Sequence, residues 1–237
     1  MTSELLRVEA LAKTFTVHAH GTRIEAVRDV SFDVPEGAFV GLTGRSGSGK
    51  STVLKLVYRT YRPHVGAIHY RSAALGAVDL ATVDERTILA LRRSEIGYVE
   101  QFLRVVPRTT AREIVVAAAL DAGVTAEAAA AETVRLLQHF ELPEALWDTY
   151  PQTFSGGEKL RLNVARAMVK RPRILLLDEP TASLDAPSKR KVADLLGRLK
   201  AEGTTMLGIF HDLDFMRDLA DEEIRMASGR RVDAVEG

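Results

Sequence analysis

The sequence predicts an α/β domain built around a parallel β-sheet. Four short runs, 38–42, 96–99, 173–178 and 205–210, are almost continuously apolar, as strands that are buried on both faces are. Stretches with helical spacing separate these runs. Strands that alternate with helices along a chain favour a parallel sheet flanked by helices, and this is the fold class that we expect.

The remaining elements follow in chain order. Residues 4–10 and 24–34 alternate in part between apolar and polar positions, which predicts two antiparallel strands. The alanine-rich stretch 117–134 is a strong helix signal, interrupted near Gly123 and Thr125. The other predicted elements are a helix over 51–61, a hairpin over 66–80, a charged helix over 82–93, a helical region from Phe102 to about Val169, and a helix over 187–200.

Composition excludes several classes of function. The chain has 237 residues, 46% of them hydrophobic, with 32 basic and 32 acidic side chains, so there is no bulk attraction to nucleic acid or to an anionic membrane. It has no cysteine, which excludes disulfides and thiolate chemistry and is typical of a reducing compartment. A secretory signal pattern is missing, and no apolar run approaches the roughly 20 residues of a membrane-spanning helix. We therefore expect a cytoplasmic protein without direct membrane insertion and without a nucleic-acid partner.

A glycine-rich loop lies between the strand 38–42 and the helix 51–61, where phosphate binding requires it. Residues 44–51 match the pattern G-x-x-x-x-G-K-[ST], whose backbone N–H groups curl around phosphate oxygens. Lys50 would bridge the β- and γ-phosphates, Ser51 would ligate Mg²⁺, and Thr52 would contact the α-phosphate side. The predicted nucleotide-binding residues are Gly44, Arg45, Ser46, Gly47, Ser48, Gly49, Lys50, Ser51 and Thr52.

Two acids end the apolar strand 173–178. Asp178 at the strand tip can hold Mg²⁺ through water, and Glu179 is placed to polarise an attacking water as general base. Acidic residues also end strands simply because strands end at solvent, but the phosphate-binding loop in the same chain favours the catalytic interpretation.

A second anion site is predicted at residues 155–158. Ser155 and Glu158 form an S-x-x-E capping box that opens a helix from about Gly156 to Lys170. A cap alone does not explain Gly156 and Gly157, because glycine in a helix costs roughly 0.5–1 kcal/mol relative to alanine. Bare N–H groups at a helix N-terminus bind anions, so we expect the motif both to cap its helix and to bind phosphate.

This ordered series of motifs resembles the ATP-binding cassette (ABC) family over essentially the whole chain. The residues that carry the resemblance are 44–51, Gln101, 155–158, 178–179, Ser183-Leu184-Asp185 and His211. The resemblance implies one cassette domain over 1–237. Its nucleotide-binding core, with an antiparallel β subdomain, would span 1–100 and 171–237, and a helical subdomain over 102–169 would carry the signature motif. It also implies that ATP and Mg²⁺ are the cofactors.

The same resemblance implies a dimer, either of this chain or with a related cassette, in which the signature of one subunit closes over ATP held by the other. Gln101 would then sense Mg²⁺ and the attacking water, Asp185 would contact the opposite subunit, and His211 would touch the γ-phosphate. Phe15 lies where the family has an aromatic residue that stacks on adenine, although it could equally be a core residue. The signature departs from the family's Leu-Ser-Gly-Gly-Gln, since it begins with Phe154 and ends with Glu158; the added negative charge could slow or tune hydrolysis.

A narrower resemblance rests on three stretches: 101–108, 146–147 with the signature at 154–158, and 208–212. These are similar to the PhnL family, the cassette ATPases of the bacterial carbon–phosphorus lyase system. The resemblance implies an accessory role in ribose 1-methylphosphonate 5-triphosphate synthase, with a soluble enzyme core as the partner. Phe102, Leu103 and Val105, flanked by Arg104 and Arg108, would dock on that partner, or some of them would pack inside the helical subdomain.

One alternative stays open from the sequence. The chain could be the ATPase subunit of a membrane transporter of the lipoprotein-release or macrolide-export type, since neither role changes the catalytic residues. A nucleic-acid-associated cassette protein is disfavoured, because such proteins usually carry two cassettes or a long coiled insertion.

Overall fold

The computed structural model describes residues 3–17, 22–104, 106–182, 184–210 and 212–232. Within these residues two sheets are present, and their strands in chain order are Glu4–Val17 (β1), Thr22–Pro35 (β2), Phe39–Thr43 (β3), Val65–Ser72 (β4), Gly76–Asp79 (β5), Ile96–Val99 (β6), Ile174–Asp178 (β7), Thr205–Ile209 (β8), Glu222–Ala227 (β9) and Arg230–Val232 (β10). The helices are Lys50–Val57 (α1), Glu85–Ser94 (α2), Ala111–Asp121 (α3), Ala126–His139 (α4), Gly156–Met168 (α5), Ala186–Ala201 (α6) and the short Leu213–Arg217 (α7).

The larger sheet has the order β10-β9-β3-β8-β7-β6. Its pairs β9–β3, β3–β8, β8–β7 and β7–β6 are parallel, and only β10 runs antiparallel to its neighbour in this described sheet. The predicted α/β class with a parallel core sheet is confirmed. Because the carboxyl ends of parallel strands meet at one edge, Thr43, Val99, Asp178 and Ile209 all end there, where α/β proteins bind ligands.

Alternation along the buried strands creates two cores, one on each face of this sheet. Ile174 and Leu176 of β7 pack in the core that contains α1, whereas Leu175 and Leu177 face the core that contains α3, α4 and α5. All four side chains are at most 1% exposed. A strand that must satisfy both faces has no polar alternation, which is why β7 reads as a continuous apolar run.

The smaller sheet is antiparallel, in the order β2-β1-β4-β5. It confirms the predicted antiparallel β region, although β1 and β2 are longer than predicted. A buried carboxylate ties this sheet to the larger one: Glu95 accepts hydrogen bonds from the Tyr70 hydroxyl (3.1 Å), the Ser72 hydroxyl (2.8 Å) and the backbone N–H of Ala73 (3.1 Å).

Three predicted boundaries need correction. The helical region does not begin at Phe102, because Pro107 and the left-handed Arg108 (φ 62°) prevent a helix before Ala111. Helix α1 ends at Val57 instead of 61, since Arg59 adopts a left-handed backbone (φ 66°) and its buried guanidinium donates to the Leu80 carbonyl at 2.7 Å. The third boundary is the start of α2. That helix begins at Glu85 instead of 82, because the Asp84 carboxylate caps it by accepting from Thr87 N–H at 2.7 Å.

Among the described helices, none combines the length and the apolar character that crossing a bilayer requires.

Candidate nucleotide site

The glycine-rich loop leaves β3 at the sheet edge and enters α1 directly. Gly44 and Gly49 have left-handed backbones, with φ of 132° and 103°. A Cβ on Gly44 would lie 2.0 Å from the Met226 carbonyl oxygen of β9, and one on Gly49 would lie 2.3 Å from the Ala26 carbonyl oxygen of β2. The loop is therefore packed against main chain on both sides, and only glycine fits at these two positions.

Beside this loop is a cavity of about 290 Å³. It brings together seven of the nine predicted loop residues and Glu179; the residues that line it are Ile24, Glu25, Ala26, Arg28, Ser46, Gly47, Ser48, Gly49, Lys50, Ser51, Thr52, Glu179, Ser228 and Gly229. The buried Ser48 hydroxyl, which is on the loop itself, has no hydrogen-bond partner in the described part of the chain. A buried hydroxyl that lacks a partner is a group that a phosphate oxygen bound by the loop would satisfy.

Lys50 is held inside the loop that it serves. Its side chain is only 4% exposed, and the ammonium donates to the carbonyl oxygens of Gly44 at 2.7 Å and Arg45 at 3.0 Å. Burial lowers the pKa of Lys50 from its usual value, and the Glu179 carboxylate opposes this shift. The two acceptors of the Lys50 ammonium in these hydrogen bonds are neutral carbonyls, so the ammonium keeps a positive charge that an anion such as phosphate would compensate.

Asp178 ends β7 at the same edge and is 9% exposed. Its Oδ2 accepts a hydrogen bond of 2.8 Å from the Tyr98 hydroxyl of β6. Burial raises the pKa of Tyr98, and the carboxylate of Asp178 raises it further, so the phenol remains protonated and can donate. Sequence reasoning identified Asp178 but missed Tyr98, whose only signal was a polar tip in an otherwise apolar strand.

Glu179 follows with a left-handed backbone, φ 52°, immediately before Pro180. This conformation is unfavourable for a residue with a Cβ and is most often kept where function requires it. Glu179 lines the loop cavity and also a neighbouring cavity of about 260 Å³ formed with Thr181, Ala182, Lys189 and Asp212. Its carboxylate therefore lies between the glycine loop and the segment that follows β8.

The fit of a magnesium ion follows from the donor set. Ser51 and Asp178 would hold it, since Mg²⁺ usually binds one or two protein oxygens together with water and substrate phosphates. Among the described residues there is no cluster of three or more His, Cys, Asp or Glu side chains that could hold a metal ion.

The signature motif begins helix α5 with a complete capping box. The Ser155 hydroxyl accepts from Glu158 N–H at 3.4 Å, and the Glu158 carboxylate accepts from Ser155 N–H at 2.7 Å. The predicted cap is confirmed. Ser155 and Gly156 are exposed, and neither lines the loop cavity.

Comparison with known proteins decides the family. A sequence model described as ABC transporter matches residues 27–182, about two thirds of the chain. The chain belongs to the ABC transporter ATPase family. Membership implies ATP hydrolysis by this cassette, and the expectation drawn from the ordered motifs is confirmed at this level.

Curated relatives of the cassette are ATP-binding subunits of import and export systems. It is 34% identical to the putative hemin import ATP-binding protein HrtA of Staphylococcus haemolyticus, covering 95% of this chain and 98% of that protein. Identity to the energy-coupling factor transporter ATP-binding protein EcfA3 of Oenococcus oeni is 31%, covering 86% and 70%. The macrolide export ATP-binding/permease protein MacB of Brucella abortus is 33% identical, but the cassette spans only 34% of its length.

Solved structures agree with this assignment. The cassette matches the dimeric post-hydrolysis structure of the ATP-binding cassette MJ0796 bound to ADP and Pi, with a TM-score of 0.86, 28% identity, and coverage of 96% of this chain and 97% of that one. It also matches cbiO1 from Clostridium perfringens, part of the ABC transporter complex cbiONQ, with a TM-score of 0.81 and 26% identity over 97% and 87% of the two chains.

Other predicted site residues of the cassette lie apart from the loop cavity. Gln101 is exposed and lines a different cavity of about 550 Å³, together with Gly156 of the signature. Asp185 is exposed and caps α6 by accepting from Ser188 N–H at 3.0 Å. Hydrogen bonding from the side chain of Ser188, and then from its backbone, lowers the pKa of the Asp185 carboxyl. Their roles toward Mg²⁺ and a second subunit stay predictions.

Phe15 is beside the nucleotide cavity, not in its wall. Its ring contacts Tyr61 edge-on at 5.1 Å, and its cross-strand partner Ile24 is the residue that lines the cavity. The predicted adenine contact therefore stays a prediction. His211 and Ser183, two more members of the predicted series, lie outside the described residues, as does Val105 of the proposed docking stretch.

The turn between β9 and β10 is a part of the site that sequence reasoning missed. Ser228 and Gly229 line the loop cavity, and Gly229 N–H donates to the Ser48 carbonyl at 3.0 Å. The Gly229 carbonyl in turn accepts from Arg28 N–H of β2 at 2.7 Å. A Ser-Gly dipeptide after the alternating Ile224 and Met226 is a hairpin signal that could have been recognised.

Proposed function

We propose that the chain is a Mg²⁺-dependent ATPase whose active unit is a pair of cassettes with ATP between them. The observation that carries this proposal is the separation of two surfaces that are predicted to bind phosphate. The glycine loop and Glu179 line one cavity, whereas the exposed N-terminus of α5 at Ser155 and Gly156 lies outside it. A second molecule would bring its Ser155 to the nucleotide, and the match to a dimeric cassette structure bound to ADP and Pi supports such a pair.

Within one cassette, each group has a defined task. The Lys50 ammonium would exchange its loop carbonyls for phosphate oxygens, and Ser51 with Asp178 would hold Mg²⁺ against the same phosphates. When bound, the metal ion would neutralise phosphate charge. Glu179 would accept the proton of the attacking water while its position is fixed by the left-handed backbone.

We propose that the cavity of about 550 Å³ is the docking site for the partner protein on which the ATPase acts. Gln101, Phe102, Leu103, Leu160 and Leu184 line it, and Phe102 is 64% exposed. An exposed aromatic ring in a largely apolar cavity is a feature of protein interfaces. The segment that lines it continues directly from β6, so a partner seated there would be linked to the nucleotide edge of the sheet.

The partner best supported by the comparisons is a transporter. The relatives described above have names that refer to import, export or transport, and they match nearly the whole chain. We propose that this cassette drives a membrane permease through the cavity around Phe102.

A second candidate rests on local sequence. The stretch 101–108 and the Phe154–Glu158 signature resemble the PhnL family, which predicts a soluble carbon–phosphorus lyase core as the partner and an accessory role in ribose 1-methylphosphonate 5-triphosphate synthase. The comparisons do not distinguish this family from other cassettes, so its support is the resemblance alone.

One experiment separates the two partners. Tagged Glu179→Gln protein is captured with Mg-ATP from its native cells grown under phosphate starvation, with Glu179→Gln/Phe102→Asp as the matched control. A permease that is captured only when Phe102 is intact supports the transporter. Soluble phosphonate-cleaving subunits, captured with the same dependence, establish the second candidate. If the same partner is captured equally well by the Glu179→Gln/Phe102→Asp variant, the docking role proposed for the cavity around Phe102 is wrong.

A further inference from the structure

We propose that Tyr98 is a positioning residue that fixes the metal-binding carboxylate of Asp178. The inference rests on the proposed function, in which Asp178 helps to hold Mg²⁺. Its basis is the hydrogen bond of 2.8 Å from the Tyr98 hydroxyl to Asp178 Oδ2, which is the contact that the described structure gives to this carboxylate.

The sheet places the two residues on the same face. Tyr98 packs against the core on the α1 side, as do Ile174 and Leu176 of β7. Side chains alternate along a strand, so Asp178, two residues beyond Leu176, also points to the α1 side. Helix α1, which begins at Lys50, packs on that side too, so the phenol, the carboxylate and the start of α1 share one face of the sheet.

A stack of three side chains fixes the phenol. The rings of Tyr58 and Tyr98 are 4.6 Å apart, and the Arg92 guanidinium lies 4.4 Å from the Tyr58 ring. Arg92 also donates to the Tyr58 carbonyl at 2.8 Å. Tyr98 therefore packs against the Tyr58 ring, which Arg92 in turn contacts. This packing restrains the phenol ring and keeps its hydroxyl next to Asp178.

A carboxylate with one oxygen engaged in this way keeps the other free for the hydration shell of a cation. Outer hydrogen bonds of this kind fix the orientation of metal-binding groups, and their loss typically reduces metal affinity about 10–100-fold. Asp178 would act through water, so we expect the lower end of that range. Loss of the hydroxyl should weaken cation binding while leaving binding of metal-free ATP unchanged.

The test measures the affinity of the ATP-bound protein for Mn²⁺ by electron paramagnetic resonance, with every variant made in the Glu179→Gln background. Tyr98→Phe should weaken Mn²⁺ affinity about tenfold. In the otherwise wild-type chain, the Mg²⁺ concentration for half-maximal turnover should rise by the same factor, with turnover at saturating Mg²⁺ little changed. Tyr58→Phe is the matched control, because it removes the other hydroxyl of the same aromatic pair. The described structure shows no hydrogen bond for the Tyr58 hydroxyl.

Asp178→Asn separates the possible failures. If Asp178→Asn weakens Mn²⁺ binding and Tyr98→Phe matches the wild type, the positioning role is refuted and the proposed function stands. If Asp178→Asn itself leaves Mn²⁺ affinity unchanged, the metal role given to Asp178 is wrong. Equal losses of Mn²⁺ affinity in Tyr98→Phe and Tyr58→Phe would also overturn the inference, because the loss would then come from disturbed packing of the two rings and not from the missing hydrogen bond.

Discussion

Replacement of Glu179 tests both the chemistry and the backbone of the site. Glu179→Gln keeps the volume of the side chain and the backbone at φ 52°, and it removes the capacity to accept a proton. A positioned general base contributes about 10²–10⁴-fold to a reaction rate, which corresponds to roughly 3–5 kcal/mol of the activation barrier. Turnover should fall by that factor, and ATP should accumulate in a closed pair of cassettes.

Glu179→Gly should reduce turnover to a similar extent. Unlike most substitutions, it should also raise the free energy of unfolding relative to Glu179→Gln. A left-handed backbone costs a residue with a Cβ roughly 1–2 kcal/mol, whereas glycine loses about 0.5–1 kcal/mol more than alanine through chain entropy. The difference predicts that the glycine variant is more stable than Glu179→Gln by about 0.5–1 kcal/mol. For a chain of this size, that is roughly 1–4 °C in melting temperature.

The assays are steady-state phosphate release, thermal melting without nucleotide, and sedimentation with and without Mg-ATP. Ala10→Gly is the matched control, because Ala10 has a similar left-handed backbone (φ 47°) in an exposed strand position away from the cavity. It should gain comparable stability with unchanged turnover. A glycine variant that melts below Glu179→Gln, while Ala10→Gly gains stability, would refute the strain argument at Glu179. Undiminished turnover in Glu179→Gln would refute the role as general base.

Three further predictions concern the signature helix and the turn that follows it. Ser155→Arg should prevent ATP-driven dimerisation while nucleotide affinity of the glycine loop stays unchanged; dimers that survive in sedimentation would contradict the role of the motif. Glu158→Gln should strengthen the ATP-bound dimer several-fold in the Glu179→Gln background, because it removes a negative charge near the phosphates and keeps an oxygen to accept from the Ser155 N–H. A weaker dimer would show that the charged cap of the helix contributes more to the dimer than the removal of charge repulsion does. Burial lowers the pKa of Lys170 to about 8 from its usual 10.5, so between these two pH values the unfolded chain binds more protons than the folded chain. The unfolding free energy of the wild type, relative to that of Lys170→Met, should therefore rise with pH in this window by up to about 1 kcal/mol per pH unit. Urea titrations of both proteins across this pH range measure the difference.

The fold was largely predictable because its core strands carry an unambiguous pattern. A strand such as Ile174–Asp178 must be apolar on both faces, and few other structures require four successive aliphatic residues. The last two strands were missed for the opposite reason. Only Ile224 and Met226 of Glu222–Ala227 are buried, so the strand alternates and its charged residues resemble a surface segment. Boundaries at Val57 and Ala111 depended on single left-handed residues, for which no side-chain signal exists in arginine.

The chemistry of the site was predictable where a side chain or glycine is required by mechanism. From the sequence, Lys50 and Glu179 were predicted as parts of one site, and both line the loop cavity. The Ser155 cap was also predicted and is present, whereas the tasks of these groups toward a nucleotide stay predictions. The position of Gln101 could not be assigned from spacing. Gln101 follows the same edge as Asp178, yet in this structure it lines the cavity next to the signature. The local sequence of a loop does not determine which cavity a side chain at its end enters.

The supports of the glycine loop were invisible to sequence reasoning for a more general reason. Gly44 meets the carbonyl oxygen of Met226, Gly49 meets that of Ala26, and Ser48 accepts from the N–H of Gly229. Each of these supporting contacts is made by main chain, which every residue type provides, so the identity of Met226 or Ala26 carries no information about the loop. Position 229 is the exception, because its backbone is left-handed (φ 79°) and its Cβ would approach the Ala26 oxygen at 3.1 Å. It follows that these supports depend on the path of β2 and β9, and that the Ser-Gly turn is a place where a sequence change in this hairpin should reach the nucleotide.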